Sequence, residues 1–182
     1  MASRQTILPE LRELFRKLGY DGVTIARISE ATGLGKASLY HHFPQGKEQM
    51  AREVLMLVDQ AVEEHFIAPL KANGSPKQKL TNMAKVVEDF YDCGNKGCLI
   101  EGLTLGDANE LFQELIGASI EGWIQAIAEV GIEAGLSKRI ARERAENILI
   151  AIQGALVLSR ALGNRALFKR VIREIPSMLL GS

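Results

Sequence analysis

The chain has 182 residues, of which 47% are hydrophobic and 24% are charged, with 22 Lys and Arg against 22 Asp and Glu. This length and composition favour one large domain, or a small domain joined to a larger one, and exclude a disordered protein. No apolar run approaches the ~20 residues of a membrane span, and the first residues lack the apolar core of a signal peptide, so we expect a cytoplasmic protein without a membrane segment.

The charge is balanced overall but unevenly distributed. Residues 1–50 carry seven Lys and Arg against five Asp and Glu, which leaves fifteen against seventeen in the rest of the chain. Three of these basic side chains, Arg27, Lys36 and Lys47, lie at or beside the predicted turn and recognition helix, where two histidines add to them. This distribution favours a protein that contacts few phosphates at a specific site over one that coats nucleic acid.

The first predicted helix covers residues 4–18, where apolar side chains recur at helical spacing and Gly19 ends the pattern. The apolar face of this helix consists of Ile7, Leu11, Leu14, Phe15 and Leu18. Asp21 and Gly22 turn the chain, and Thr24 is a favourable N-cap for the next helix.

Residues 24–47 predict two short helices separated by a tight turn at 32–35, which is the layout of a helix-turn-helix. Gly33 supplies the positive φ that this turn needs. The apolar residues expected to hold the two helices together are Ile28, Ala31, Leu34, Leu39 and Phe43. The second helix, at about 36–42, exposes a surface without acids, formed by Lys36, Ala37, Ser38, Tyr40 and His41. Such a surface suits the major groove of DNA better than an active site.

The remainder of the chain is predicted to be helical throughout. A long helix begins at Lys47 and runs to Pro69, and further helices are expected at about 76–93, 99–105, 107–135 and 137–163. A last helix is expected from about 167, with Pro176 kinking or ending it. Because no segment of five or more residues alternates between apolar and polar side chains, we expect no sheet. The predicted fold is all-α with about nine helices.

Leu-Tyr-His-His-Phe-Pro-x-Gly-Lys-Glu at 39–48 resembles the signature of the TetR family of bacterial transcriptional regulators. The two-residue spacer before Lys47 is similar to the branch that includes LmrA and YxaF. The likeness is strong over roughly the first 60 residues, and beyond them it rests on length, helical pattern and Gly-Cys-Leu at 97–99. Gly35 stands where the family often has a capping Ser, at a cost of about a few tenths of a kcal/mol, and Arg27 replaces a frequent acid.

The resemblance implies an N-terminal helix-turn-helix DNA-binding domain at 1–46 and a C-terminal ligand-binding and dimerisation domain at 47–182. It implies base contacts to double-stranded operator DNA from Lys36, Ala37 and Ser38. The phosphate contacts that it implies come from Thr24, Tyr40, His41 and Lys47. The chemistry agrees, because a lysine can reach guanine O6 and N7 and an alanine methyl can meet a thymine methyl.

In members of this family the C-terminal region holds a pocket for a small molecule, and the last two helices form the homodimer interface. The candidates to line a pocket for a small apolar or amphipathic effector are Phe66, Val87, Phe90, Leu103, Trp123, Ile127 and Gln153, each with simple core packing as the alternative. Trp123 and Gln153 stand out because their polar atoms need partners in an apolar setting. Ala151, Gly154 and Ala155 are small enough for a close helix approach at a two-fold interface.

Two cysteines are too few for a disulfide framework, and no metal site or cofactor is expected. Cys98 follows a lysine at a predicted helix start, where a cation and the helix dipole favour the thiolate. It is therefore either a redox or electrophile sensor, with Cys93 as a partner, or a small buried residue, and the second reading is favoured.

The sequence predicts a repressor that a ligand releases from a palindromic operator. An enzyme is the first rival, but His65 is the only histidine outside the recognition segment, and no phosphate loop, paired acids or metal motif accompanies it. The second rival is an architectural DNA protein, which would bind without sequence preference and would need a larger basic excess.

Overall fold

The computed structural model describes residues 4–181, apart from the side chain of Asp107, and the described part is helical without a strand. Its nine helices confirm the predicted all-α fold. They are α1 (Arg4–Gly22), α2 (Ile25–Thr32), α3 (Lys36–His42), α4 (Lys47–Val62), α5 (Pro76–Phe90), α6 (Leu99–Leu103), α7 (Asp107–Glu133), α8 (Lys138–Ala161) and α9 (Ala166–Leu180). A π-helical turn (Glu63–Ile67) and one further α-turn (Ala68–Lys71) continue α4.

The described residues form two compact units. The first unit contains the chain up to Asp59 together with Cys98–Gly117, and the second contains Gln60–Gly97 and the chain from Ala118 onward. These units do not coincide with the predicted functional boundary between 46 and 47, because α4 as far as Asp59, all of α6 and the first turns of α7 pack with the N-terminal helices.

The helix-turn-helix of the first unit forms where the sequence predicts it. The side-chain oxygen of Thr24 accepts a hydrogen bond from the Arg27 amide and caps α2, and Gly33 ends α2 with a φ of 69°. Ile28, Leu39 and Phe43 are fully buried. α1 contributes the buried residues Ile7, Leu11 and Phe15 to the same core.

Two residues of the predicted apolar set are placed differently. Ala31 is exposed and Leu34 is half-buried. The inward face of α2 carries residues 25, 28, 29 and 32, which follow the helical period, and Ala31 lies beside that stripe rather than on it. The expectation that Ala31 locks the two helices was therefore wrong.

Glycines allow a close contact between α1 and α6 within the first unit. Gly19 has φ 66° and ψ 178°, which breaks α1 there as predicted. A Cβ atom added to Gly102 would lie 3.0 Å from Gly19 Cα and 3.1 Å from the Phe15 carbonyl oxygen. A larger side chain at position 102 would therefore displace backbone, so the short helix α6 can sit this close only with glycine.

In the second unit α9 packs against both α5 and α8. Ser75 and Ser137 cap α5 and α8, as their sequence contexts predict. The backbone of Gly94 has φ 92° and lies directly against Phe168, since an added Cβ would come within 2.8 Å of the Phe168 Cβ. Pro176, at which the sequence predicts either a kink or an end of the last helix, lies inside α9, and the helix continues to Leu180.

By length and composition alone, α7 is apolar enough to cross a membrane. The same property is expected of a core helix, and α7 contributes the buried side chains Phe112, Ile116, Trp123 and Ile127. Glu121 on this helix forms a bidentate ion pair with Arg142 of α8. The apolar composition of α7 is thus explained by the side chains that it buries.

Candidate nucleic-acid interface

The outer surface of α3 carries side chains that can contact DNA. Lys36, Ala37, Tyr40 and His41 are exposed, and Ser38 is half-buried. The helix contains no acidic residue, and two histidines occupy its last turn. All five contact residues predicted for this helix are therefore brought together on one short element.

The start of α3 has the weak cap that the sequence indicates. Gly35 is the N-cap with φ −67° and ψ 155°, and no side chain caps the helix there. Backbone amides at this end are therefore left for other acceptors. The amide donors of a helix start are suited to phosphate oxygens, although α3 is only seven residues long.

Tyr40 is held at the surface by the turn that follows α3. Gly46 has φ 69°, and a Cβ atom on it would lie 3.4 Å from Tyr40 Cε1, so the ring packs directly on the glycine backbone. The Nζ atom of Lys36 lies 6.0 Å from the centroid of the Tyr40 ring, at the outer limit of a cation–π contact. Tyr40 is 40% exposed, so the residue remains partly accessible at the surface.

Thr24 and Arg27 lie at the start of α2. Thr24 is exposed, and its hydroxyl oxygen accepts from the Arg27 amide at 3.3 Å. The hydroxyl can still donate to a phosphate while its oxygen serves as the cap, because a threonine hydroxyl both donates and accepts. The guanidinium of Arg27 donates to the carbonyl oxygen of Gly22.

Lys47, the first residue of α4, is half-buried and already engaged. Its Nζ atom donates to the Tyr20 carbonyl oxygen at 3.0 Å and lies 4.0 Å from the centroid of the Tyr20 ring. An ammonium group has three donors, so the bond to Tyr20 leaves capacity for a phosphate oxygen.

No role was predicted from the sequence for Tyr20, the residue that Lys47 contacts. Its ring lies 6.2 Å from Phe15 and 5.2 Å from Phe112, edge-on to the latter. Burial raises the pKa of the Tyr20 phenol, and the Glu48 and Asp21 carboxylates raise it further against a smaller opposing effect of an arginine. The phenol is therefore neutral at physiological pH and presents a neutral ring to the ammonium.

The predicted effector residues divide between the two units. Within the second unit, Phe66 lies 5.1 Å from Phe90 and 4.9 Å from Trp123, measured between ring centroids. Val87 and Ile127 are fully buried in this unit, and Gln153 is half-buried on α8. Leu103 belongs instead to the first unit, where it is fully buried on α6.

Three further residues complete the aromatic cluster of the second unit, and sequence reasoning did not select them. Tyr91 contacts Phe66, Phe90 and Phe168. The indole Nε1 of Trp123 donates to the Sδ atom of Met83 at 3.2 Å. The sequence signal that could have identified Tyr91 is its position directly after Phe90. Met83 and Phe168 have the helical spacing of ordinary core residues, so the sequence does not distinguish them.

The cysteines lie in different units. Cys98 is the N-cap residue of α6 in the first unit and is 5% exposed, while Cys93 belongs to the second unit and is half-buried. Neither forms a disulfide. Cys93 has a positive φ of 54°, within a short 3₁₀ turn (Asp92–Gly94).

One face of α8 and the residue after it expose apolar side chains. Ile150 is 68% exposed, Leu158 54% and Leu162 67%. Val157 and Gly154 belong to the same exposed surface, and a Cβ atom on Gly154 would meet nothing within 4 Å. Ala155, which was predicted on this face, is buried instead.

Comparisons with known proteins agree with this description. Residues 7–54 match the family model for bacterial regulatory proteins of the TetR family, and residues 76–174 match the C-terminal domain of LmrA/YxaF-like transcriptional regulators. The chain is 27% identical over 184 residues to the HTH-type transcriptional regulator LmrA of Bacillus subtilis, with 97% of this chain and 96% of LmrA covered. It is 36% identical over 66 residues to the HTH-type transcriptional repressor AcnR of Corynebacterium glutamicum, which covers 35% of each chain.

Solved structures show the same fold. A TetR transcriptional regulator from Legionella pneumophila has a TM-score of 0.84 at 21% identity, with 98% of both chains covered. The reduced form of Escherichia coli NemR has a TM-score of 0.78 at 14% identity, with 98% of this chain and 97% of NemR covered. Regulators of the TetR family bind operator DNA and act as dimers. The chain belongs to the TetR family of bacterial transcriptional regulators, with a C-terminal domain of the LmrA/YxaF-like type, and is a DNA-binding protein.

Proposed function

We propose that this protein is a cytoplasmic, homodimeric repressor that binds a palindromic operator and is released from it by a small apolar or amphipathic effector. The observation that carries the proposal is the exposed, acid-free surface of α3, which follows the glycine turn of a helix-turn-helix. The major groove admits an α-helix and carries the sequence-dependent pattern of donors and acceptors that such a surface reads.

The proposed contacts with DNA follow from the chemistry of each side chain. Lys36, Ala37 and Ser38 lie in the first turn of α3, from which recognition helices contact base edges. Thr24, Tyr40, His41 and Lys47 supply hydroxyl, imidazole and ammonium groups for phosphates, which position the protein without reading sequence.

The proposed dimer forms through the apolar face of α8. The side chains of this face that are too exposed for a monomer's core are Ile150, Val157 and Leu158, joined by Leu162 directly after the helix. Gly154 allows a second helix to approach. A two-fold axis makes the same patch meet itself and sets two recognition helices about one DNA turn apart. Because the exposed apolar side chains lie on α8, we place the principal dimer contact on this helix rather than equally on α8 and α9.

The proposed effector site is the aromatic cluster of the second unit, around Phe66, Phe90 and Trp123. The rings contact one another in edge-on and tilted arrangements and provide a surface for a flat apolar molecule. If one aromatic side chain swings aside and the effector takes its place, the remaining rings stay covered by apolar surface. The sulfur of Met83 is a weak acceptor for the Trp123 indole, so an effector oxygen would make a stronger partner.

Residues 1–46 remain the proposed DNA-binding domain and residues 47–182 the effector-binding and dimerisation domain. Because Cys98–Gly117 packs within the first unit, these residues would move together with the DNA-binding helices. An effector that shifts the long helix beginning at Lys47 would change the spacing of the two recognition helices. It can do so only through its different affinity for the two arrangements.

The test is selection of bound duplexes from a random DNA library by the full-length protein, followed by binding in excess non-specific competitor DNA. A repressor is expected to enrich a palindrome and to retain it against competitor. Enrichment without a common sequence, and loss of binding to competitor, would favour an architectural DNA protein instead. Catalysis is not part of the proposal, since the relatives are regulators rather than enzymes.

A further inference from the structure

Lys47 is linked to α7 through a series of contacts inside the first unit. Its ammonium lies on the ring and carbonyl of Tyr20, and the Tyr20 ring meets the edge of Phe112. Phe112 lies in the first turns of α7 and is fully buried. The two ends of this series are far apart in sequence but belong to the same compact unit.

A second set of contacts also links α4 to Phe112, and it begins at Arg52, five residues after Lys47. The Arg52 guanidinium lies 5.5 Å above the Phe112 ring and donates to the Leu111 carbonyl oxygen at 3.1 Å. The same guanidinium donates to Glu48 at 2.9 Å. α4 is therefore linked to Phe112 of α7 twice, directly by the Arg52 guanidinium and, through the Tyr20 ring, by the Lys47 ammonium.

We infer that Tyr20 is a positioning residue for DNA binding: it holds the Lys47 ammonium at the start of α4, and Phe112 on α7 braces it. The inference rests on the proposed function, in which Lys47 contacts a phosphate. The carbonyl bond and the ring contact together restrict a flexible four-carbon side chain to one place before DNA arrives. A displacement of α7 would reach the ammonium through two ring contacts.

The position matters because an ammonium that is already ordered loses less side-chain entropy when it binds. Lys47 keeps two of its three donors for phosphate oxygens while one remains on Tyr20. Removal of the Tyr20 ring would leave the lysine in place but free it to sample other rotamers. The phosphate contact would then weaken without any change in the residues that read bases.

The experiment measures the affinity of the full-length dimer for a mixed-sequence duplex of about 30 base pairs, roughly three helical turns, over a series of salt concentrations. A phosphate contact appears as a salt slope of about 0.9 per site, hence about 1.8 for a dimer that loses one on each subunit. Lys47→Ala defines this loss. Tyr20→Leu is expected to reproduce part of this loss, and its dimer should bind the duplex roughly 5- to 30-fold more weakly at low salt. Tyr20→Phe keeps the ring and should keep the wild-type slope.

Two controls separate positioning from stability. Leu11→Ala removes a fully buried side chain of α1 from the same unit without touching Lys47, and it is expected to lower the melting temperature while leaving the salt slope unchanged. In the Lys47→Ala background, Tyr20→Leu should add nothing further to the loss of affinity. Phe112→Leu removes the ring that braces Tyr20 and is expected to give a slope between those of the wild type and Lys47→Ala. This variant tests the inference even where Tyr20→Leu fails to fold.

The outcomes distinguish the inference from the proposed function. An unchanged slope in Lys47→Ala would remove the phosphate assignment and the inference with it. A reduced slope in Lys47→Ala with wild-type slopes in both Tyr20→Leu and Phe112→Leu, or additive losses in the double variant, would overturn the inference alone. NMR supplies an independent measurement, because the ε-methylene protons of Lys47 should be shifted upfield by the ring in the wild type and not in Tyr20→Leu.

Discussion

The indole Nε1 of Trp123 donates a hydrogen bond to the Met83 sulfur at 3.2 Å, between helices α7 and α5 of the second unit. Trp123 is the only tryptophan in the chain, it is 5% exposed, and its ring lies 4.9 Å from that of Phe66. A buried fluorophore with a weak acceptor therefore lies inside the proposed effector site, which provides a direct test of ligand binding.

Tryptophan fluorescence is expected to saturate with an effector found by screening, and the apparent dissociation constant should rise when saturating operator DNA is present. Coupling free energies between sites are typically about 1–3 kcal/mol and act equally in both directions. Trp123→Phe lacks the fluorophore, so its effector affinity is measured by calorimetry; it should bind the effector more weakly and leave DNA binding nearly intact. Leu80→Val, at a buried position outside the predicted site, serves as the packing control. A ligand that releases the operator but binds equally tightly with and without DNA would contradict the mechanism.

The second prediction concerns DNA recognition. Lys36→Ala should relax the preference for one base per half-site, by about 1–3 kcal/mol if the lysine makes a bidentate contact. Tyr40→Phe should instead weaken binding to all sequences alike, because it removes a hydrogen bond to a phosphate. It should leave the salt dependence nearly unchanged, because the phenol carries no charge and releases no counterion. Gel shifts with matched and mismatched duplexes across a salt series measure both effects. Lys85→Ala removes an exposed lysine in the second unit and should change neither; a Lys36→Ala variant with wild-type base preference would refute the assignment.

A third prediction tests the apolar face of α8. Leu158→Glu and Ile150→Glu should each convert the dimer to monomers, because a carboxylate buried without a partner costs several kcal/mol. Sedimentation measures the change, and operator affinity should fall with it. Met56→Glu is the matched control, since Met56 is 65% exposed but lies in the first unit. If both α8 variants remain dimeric at the wild-type concentration dependence, the interface lies elsewhere.

The fourth prediction concerns Cys98, the capping residue of α6, which is only 5% exposed. We expect the protein to bind DNA equally well before and after a mild oxidant or alkylating agent, because a buried thiol is inaccessible to both. Cys98→Ser should bind likewise, and Cys93→Ser reports on the more accessible thiol. Loss of binding in the treated wild type, together with its retention in treated Cys98→Ser, would identify a sensor.

A fifth prediction concerns the glycine contact between α1 and α6. Gly102→Ala should lower the free energy of unfolding by about 1–3 kcal/mol, because the new methyl group meets the backbone of Gly19 and Phe15. Gly117→Ala is the opposite case, since a methyl group added to Gly117 in α7 would meet nothing within 4 Å, and it should raise stability by about 0.5–1 kcal/mol. Denaturant unfolding measures both, and equal effects of the two substitutions would contradict the close approach.

The sequence by itself determined the elements whose causes are local. Gly33 marks the turn between α2 and α3 because its φ of 69° favours a residue without a side chain, and Thr24 marks the start of α2 because its hydroxyl reaches the Arg27 amide three residues later. Helical spacing likewise predicted the fold class and the buried residues Ile7, Leu11 and Phe15 of α1. Leu18, predicted on the same face, is 40% exposed, because the helix breaks at the next residue, Gly19. Such signals are readable because the interacting groups lie within one turn of each other in the chain.

Only the tertiary structure decided which distant segments share a unit. Leu103 is an apolar residue that the sequence predicts to line the effector pocket. However, α6 packs on α1 through Gly19 and Gly102, which places Leu103 in the first unit. Lys47 and Tyr20 are 27 residues apart, and Arg52 and Leu111 are 59 apart. Side-chain periodicity specifies which face of a helix is apolar but not which other apolar face covers it, so these partnerships depend on the shape complementarity of the packed helices.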